Sequence, residues 1–369
     1  VNKRKLLGIA ILGLIVLAGV GWKFFFGGAS TPRGTQIILK GLVGSEKVGF
    51  LEDEEVKKIL NSRYGITLDF NKAGSLEMVR EEPVYDFLFP SSQVAVEFYK
   101  AKGKPVVKDA VLFNSPIVFY SWEPVVVALE RNGIVQHMNG IYYIIDMPKL
   151  VKLIAARKKW RDIGLPELYG YVGIISTDPL KSNSGNQFAA LLAGILNNGE
   201  VIDGQSLKKV IPQVKDFFSR LGYLEHSSGV LFEQYLRMGV GSHPLIVGYE
   251  NQIVEFAVLN KDAWEVVKKR LRILYPVPTV WSSHTVIAVN TKASGLISAL
   301  EDRDIQRVAW ERHGFRTGII GGKNDVKVLG IVGMPERIDQ VLPMPSPPVM
   351  QSLMDVLQSS PAGQEKGSH

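Results

Sequence analysis

An apolar run that ends in a hydroxyl-rich turn and then enters a helix constrains this chain more than any other stretch. Tyr171–Ile175 reads as a buried strand, and Phe188–Leu196 as an apolar helix. Between them lies Ser176-Thr177-Asp178-Pro179-Leu180-Lys181-Ser182-Asn183-Ser184-Gly185-Asn186-Gln187. Ser184, followed three residues later by Gln187, fits a capping box, so the helix is expected to start at Ser184. A turn of this kind aims free backbone N–H groups and the positive end of a helix dipole at one point. That point suits an anion or a hydroxylated small molecule. Taken alone, the turn is equally well explained as a capped helix that binds nothing.

The same pattern recurs in the first third of the chain. Thr35–Val43 reads as a strand and ends in Gly44-Ser45; Ile66–Phe70 is a strand that leads to Gly74-Ser75; Tyr85–Phe89 leads to Ser91-Ser92 and a helix over 93–102. Acids over 52–55 open a further helix, and Gly65 sits where that helix should stop. Strands alternating with helices predict a parallel α/β sheet. In such sheets ligands bind beyond the carboxyl ends of the strands. Each serine alone is a helix cap, but three on one sheet edge, facing the turn at 181–186, point to a shared site.

The order of these segments resembles type 2 periplasmic solute-binding proteins, in particular the molybdate-, sulfate- and phosphate-binding relatives. The resemblance rests on Gly44-Ser45, Gly74-Ser75, Asp86 to Ser92, the exit strand Phe113-Asn114-Ser115-Pro116 through Tyr120, the turn Thr177–Gly185, and the closing segment Ala299–Gln306 with Trp310 to Phe315. It covers about residues 36–340. It implies an α/β fold of two lobes with a hinge of two crossover strands. Lobe 1 is expected over 35–117 and 280–342 and lobe 2 over 118–279, with 343–369 a flexible extension. It further implies ligand contacts from Ser45, Ser75, Ser91, Ser92, Ser115, Ser182, Asn183, Ser184, Gly185, Asn186, Tyr249 and Glu250. Val118–Leu129 is expected as extended crossover chain, and 149–160 as a basic helix. The paired Tyr142-Tyr143 is similar to the iron-binding branch, but neighbours in a strand face opposite ways. The resemblance implies an oxyanion as ligand, with an organic solute as the alternative, since Glu250 beside a dianion would be costly. An ABC-type permease is the expected partner.

Before that body, Leu6–Val20 is an uninterrupted apolar and glycine run, and with the aromatic, snorkelling end to Phe26 it supplies the roughly 20 residues that a bilayer needs. Lys3-Arg4-Lys5 precedes it, which predicts a single-pass anchor in the inner (cytoplasmic) membrane with the bulk of the chain extracytoplasmic. A cleaved signal peptide is the rival reading. Residues 1–34 are thus expected as transmembrane anchor and linker. Of the net charge of +7, four units come from Lys3, Arg4, Lys5 and Lys23, which leaves +3 on the rest. That is too little and too scattered for nucleic acid. With no cysteine, thiolate catalysis and thiolate metal sites are excluded. No zincin pair, P-loop or nucleophile elbow is present, so no catalytic residue, metal or cofactor is expected. A tethered sensor or assembly component on the same fold, and an enzyme on the same scaffold, stay open.

Overall fold

The computed structural model describes residues 36–80 and 84–359. The membrane-anchor expectation for the N-terminus lies outside the described residues. Among those described, no helix is long and apolar enough to cross a membrane.

Among the described residues, ten strands build two sheets that share one long strand. They are β1 Ile37–Val43, β2 Ile66–Lys72, β3 Phe87–Phe89, β4 Lys108–Trp122, β5 Val135–Met138, β6 Ile141–Ile144, β7 Leu245–Tyr249, β8 Leu271–Pro276, β9 Trp281–Ala288 and β10 Arg316–Thr317. In the first sheet, β1 pairs in parallel with β2 and β3, and β9 pairs antiparallel with β3 and β4. In the second, β4 pairs antiparallel with β7 and β8, while β6 runs parallel to β8. The fifteen residues of β4 therefore serve both sheets: Lys108–Pro116 lies against β9, and Ile117–Trp122 against β7 and β8. The return passage from β8 to β9 runs alongside. Thr279 Oγ1 donates to the Ile117 carbonyl at 2.6 Å, and Ile117 N donates to the Val280 carbonyl at 3.0 Å. Two adjacent passages thus join the two lobes, where the hinge is expected.

Each sheet buries both faces. Phe50, Phe113, Phe315 and Leu300 pack on one face of the first sheet, and Met78, Tyr99 and Ile287 on the other. The second sheet has the same two-sided cover. Burial on both faces explains why the strands read as near-continuous apolar runs.

Local signals explain most helix ends. Helix α1 (Val48–Glu52) is followed by α2 (Glu54–Tyr64), where Asp53 caps the Glu55 and Val56 amides and Gly65 ends the helix at φ 65°. Helix α3 (Ser75–Met78) and α4 (Gln93–Ala101) follow the two serine turns. Other boundaries differ from expectation. The crossover strand stops at Trp122, and Glu123–Arg131 is helical, because Pro124 sits in the first turn, where its missing N–H costs nothing. The basic helix over 149–160 is two pieces, Met147–Ala155 and a 3-10 turn at Trp160–Ile163. Tyr171–Ile175 is not a regular strand, although Ile175 N donates to the Leu245 carbonyl at 2.9 Å beside β7. Helix α5 (Asn183–Leu196) takes Ser182 as its N-cap, two residues before the expected Ser184. Helices α6 (Ser228–Met238), α7 (Glu250–Leu259) and α8 (Arg303–Glu311) complete the frame around the site.

The segment expected as a flexible extension instead carries helix α9 (Pro347–Gln358). Met350, Leu353, Met354 and Leu357 are buried in the second lobe's core, where α9 packs on α5 and on the helix Gly204–Ser219. It also touches α4 of the first lobe. Four apolar residues at helical spacing give it a face to bury, which an appendage would lack.

Candidate ligand cleft

The carboxyl ends of β1, β2 and β3 deliver the first lobe's turns to one place. There the N-terminus of α5 and the end of β7 meet them from the second lobe. Between them lies a cavity of about 340 Å³. Gly44, Ser45, Glu46, Gly74 and Ser75 line it from the first lobe; Lys181, Ser182, Asn183, Ser228 and Tyr249 line it from the second. A neighbouring cavity of about 300 Å³ shares Gly74, Ser75 and the turn at 181–183, and adds Arg80 and Asn186. Lys72, Glu77 and His226 also line the wall.

Direct contacts hold the two lobes together at the cavity floor. Asn183 Nδ2 donates to the Ser91 carbonyl at 2.9 Å and to the Tyr249 hydroxyl at 3.0 Å. Gln187 Nε2 donates to the Ser91 and Trp281 carbonyls, each at 3.3 Å, so this side chain bridges the lobes and does not close a capping box. Ser282 Oγ donates to the same Ser91 carbonyl at 2.9 Å. A Cβ placed on Gly74 would lie 2.8 Å from the Lys181 carbonyl oxygen, so the two turns meet only because residue 74 is glycine. Ser182 offers no side-chain hydrogen bond to the first-turn amides of α5, which leaves that end of the dipole facing the turn.

The most highly charged part of the cleft is buried. Lys47 and His284 have no side-chain exposure, and Glu46 has 7%. Lys47 Nζ donates to Glu46 Oε1 at 2.6 Å, and the Ser91 hydroxyl contacts both groups. His284 Nδ1 lies 3.3 Å from Lys47 Nζ and 3.6 Å from Glu46 Oε1. Burial pushes the Glu46 carboxyl up, but the Lys47 ammonium and the hydrogen bonds outweigh it and hold the group at about 2. Burial, reinforced by the Lys47 charge, keeps His284 well below its ordinary value and therefore neutral. Burial beside the Glu46 carboxylate raises the Tyr249 phenol well above its usual range.

Of the residues expected from sequence, Ser45, Ser75, Ser182, Asn183 and Tyr249 line the main cavity, and Asn186 lines its neighbour. Ser91 stands just behind the wall. Its amide donates to Ser75 Oγ at 2.9 Å, and its hydroxyl serves Glu46 and Lys47. The others do not reach the cavity. Ser92 caps α4 through the Ala95 amide. Ser115 is buried on the crossover strand against Asn251. Ser184 is buried with its hydroxyl 2.7 Å from Thr177 Oγ1, and Gly185 leaves no space for a Cβ against the Thr177 carbonyl. Glu250 is turned away from the cleft: Arg316 grips it through Nε at 2.6 Å and Nη2 at 2.9 Å, and the Tyr275 hydroxyl donates at 2.6 Å. The conflict expected between Glu250 and an anionic ligand therefore does not arise. Tyr142 and Tyr143 lie on β6, where Tyr142 stacks on His137 at 4.2 Å, and neither lines the cavity. Among the described residues, no group of three or more His, Asp or Glu is placed to hold a metal. Glu46 and Lys47 are site residues that the sequence reading passed over; their only signal is their place directly after Gly44-Ser45 at a strand end.

Two α/β lobes joined by two crossover strands, with a cleft at the strand ends, have the fold of type 2 periplasmic solute-binding proteins. The structure is similar to a protein from Bordetella parapertussis described as extracellular and solute-binding, with a TM-score of 0.56, 10% identity, and cover of 88% of this chain and 98% of that one. It is similar to an iron- and citrate-bound protein from Trichodesmium, IdiA (FutA), at a TM-score of 0.53 and 8% identity, covering 87% and 97%. The sulfate-binding protein SubI of Mycobacterium tuberculosis H37Rv matches at a TM-score of 0.50 and 16% identity, covering 80% and 90%. No family model and no curated protein matches the sequence, so the likeness is one of fold.

Proposed function

We propose that the chain captures a small solute in the interlobe cleft, on the extracytoplasmic side of the membrane, and passes it to an ABC-type permease. The observation that carries this reading is the single cavity that Ser45 and Ser75 line from one lobe and Ser182, Asn183 and Tyr249 from the other. Hydroxyls, amides and a helix N-terminus can surround a ligand without fixed charge. Lobe closure about the two crossover strands then buries it. An oxyanion is the first ligand class to test, because the wall is rich in donors and its Lys72 and Lys181 offset its Glu46 and Glu77. The sulfate-binding neighbour supports that choice at the level of fold. The apolar run Leu6–Phe26 supports tethering to the membrane's outer face.

A second reading, a membrane-tethered sensor or assembly component, is supported by the Glu46 carboxylate, which already pairs with the buried Lys47 at the cleft. A thermal-shift panel of oxyanions, amino acids, sugars and metal ions on the purified chain separates the two. A cleft ligand at 100-fold over its Kd adds about 2.7 kcal/mol. Stabilisation by one class supports capture, and a flat response to all of them refutes it in favour of the tethered component.

A further inference from the structure

The buried end of the cleft has the donor set of an anion site, and it already holds an anion that belongs to the chain. Glu46 Oε1 receives Lys47 Nζ at 2.6 Å and the Ser91 hydroxyl, with His284 Nδ1 at 3.6 Å. Lys47, Ser91 and His284 are fully buried and come from three separate segments. Ser91 is fixed from both sides, by Ser75 through its amide and by Asn183 through its carbonyl. Glu46 is different. Its Oε2 has no hydrogen-bond partner among the described residues, and its side chain borders open space on two sides. One is the cavity of about 340 Å³, and the other a groove of about 600 Å³ beside Phe232, Leu236 and Phe256. Rotation about its side-chain bonds has room to empty the seat. Lys47 has no such freedom: it is buried above the Phe89 ring, 5.0 Å from its centroid, and Glu46 is its only ion-pair partner among the described residues. A buried ammonium without a counter-charge is strongly unfavourable. Removing the Glu46 carboxylate from the seat therefore leaves Lys47 either to take another anion or to lose its proton.

We propose that Glu46 is a tethered occupant of the cleft's anion seat, filling the place beside Lys47 and Ser91 that a free oxyanion or a ligand carboxylate would take. This rests on the reading of the cleft as the ligand site. Binding of an anionic ligand at the seat is then an exchange, one carboxylate out and one anion in; a ligand carboxylate leaves the buried charge unchanged, and a dianion such as sulfate adds one negative charge beside Lys47. The tether gives the internal group a high local concentration, so weak external anions are excluded and only a ligand with further contacts to the wall displaces it.

Titration calorimetry with sodium sulfate, molybdate and phosphate, at ionic strength held constant with sodium chloride, tests the exchange. Glu46→Ala empties the seat and should bind at least one of these anions no less than tenfold more tightly than the wild type. Glu46→Gln, which still fills the seat, should fall between them. Adding Lys47→Met to Glu46→Ala should abolish the gain. If Glu46→Ala folds only in the presence of one of these anions, that dependence is the same result read through stability. Equal or tighter binding by the wild type, or a Glu46→Ala chain that gains nothing while folded, would overturn the inference. So would a Glu46→Ala chain that stays unfolded in every anion while the double variant folds. The proposed capture function fails on a different reading, a wild type that answers no ligand class at all.

Discussion

Replacing Gly74 by alanine should hold the two lobes apart without disturbing either. Gly74 has φ −67° and ψ 147°, a conformation open to any residue, so alanine brings no backbone strain. The methyl carbon would lie 2.8 Å from the Lys181 carbonyl oxygen, whereas ordinary contact begins at 3.4 Å. The turns must separate by roughly 0.6 Å at this point, and both partners there are backbone, which cannot rotate aside. Crowding of this size costs about 1–3 kcal/mol. The whole of it falls on the closed form, which corresponds to a shift of roughly 5- to 150-fold in the closed-to-open ratio. The chain has no cysteine, so single cysteines at the exposed Lys58 and Lys209 can carry spin labels, one in each lobe, without competing sites. Electron–electron distance measurements should show the Gly74→Ala population moved to a second distance that is minor in the parent. An unchanged distribution, with an unchanged thermal midpoint, would refute the claim that these turns meet across the cleft.

Three further outcomes follow from the charges and the packing. Glu46 is held at about 2 against an ordinary 4.5, so its contribution is present above pH 4.5 and is lost as the pH falls towards 2. That contribution is about 3 kcal/mol. His284, kept neutral below its usual 6.5, removes stability in the same direction as the medium acidifies, while Tyr249, raised above its usual range, stays a neutral phenol. Urea midpoints measured from pH 7 to pH 3 should fall less steeply in Glu46→Gln than in the parent. Arg316→Ala leaves the fully buried Glu250 carboxylate unpaired and should lower unfolding free energy by about 3–5 kcal/mol, measured by urea, without changing ligand affinity in the fraction that stays folded. Leu353→Ala, at a fully buried position on α9, should cost about 2–5 kcal/mol in the same assay; a loss under about 0.5 kcal/mol would mean that the helix is not part of the second lobe's core.

What could be read from the sequence was mostly local. Strand ends followed by Gly44-Ser45, Gly74-Ser75 and Ser91-Ser92 announce themselves, because glycine and serine are the residues that turns and helix starts require. The Asp53 cap and the Gly65 stop are legible for the same reason. What could not be read was the burial of charge. Glu46 and Lys47 beside a strand end look like a solvated pair, and only the approach of Ser91 and His284, 45 and 237 residues further on, shows otherwise. Glu250 read as a cleft acid because it follows β7 directly; its partner Arg316 stands 66 residues away and nothing near either residue signals the pairing. Two errors were local. Pro124 reads as a breaker, yet it opens a helix. The prolines over 343–348 mask the helical period of Met350, Leu353, Met354 and Leu357 that follows them.

Turns from both lobes should hold one ligand together. Once a panel has found a ligand that stabilises the chain, titration calorimetry of Ser45→Ala and Asn183→Ala tests this directly. Ser45 lines the cavity from the first lobe; Asn183 lines it from the second and ties it to Ser91 and Tyr249. Each substitution should weaken binding by about tenfold or more, equivalent to about 1.4 kcal/mol. A ligand whose affinity is unaffected by either substitution, or by the one on one lobe alone, would contradict a site shared between the lobes.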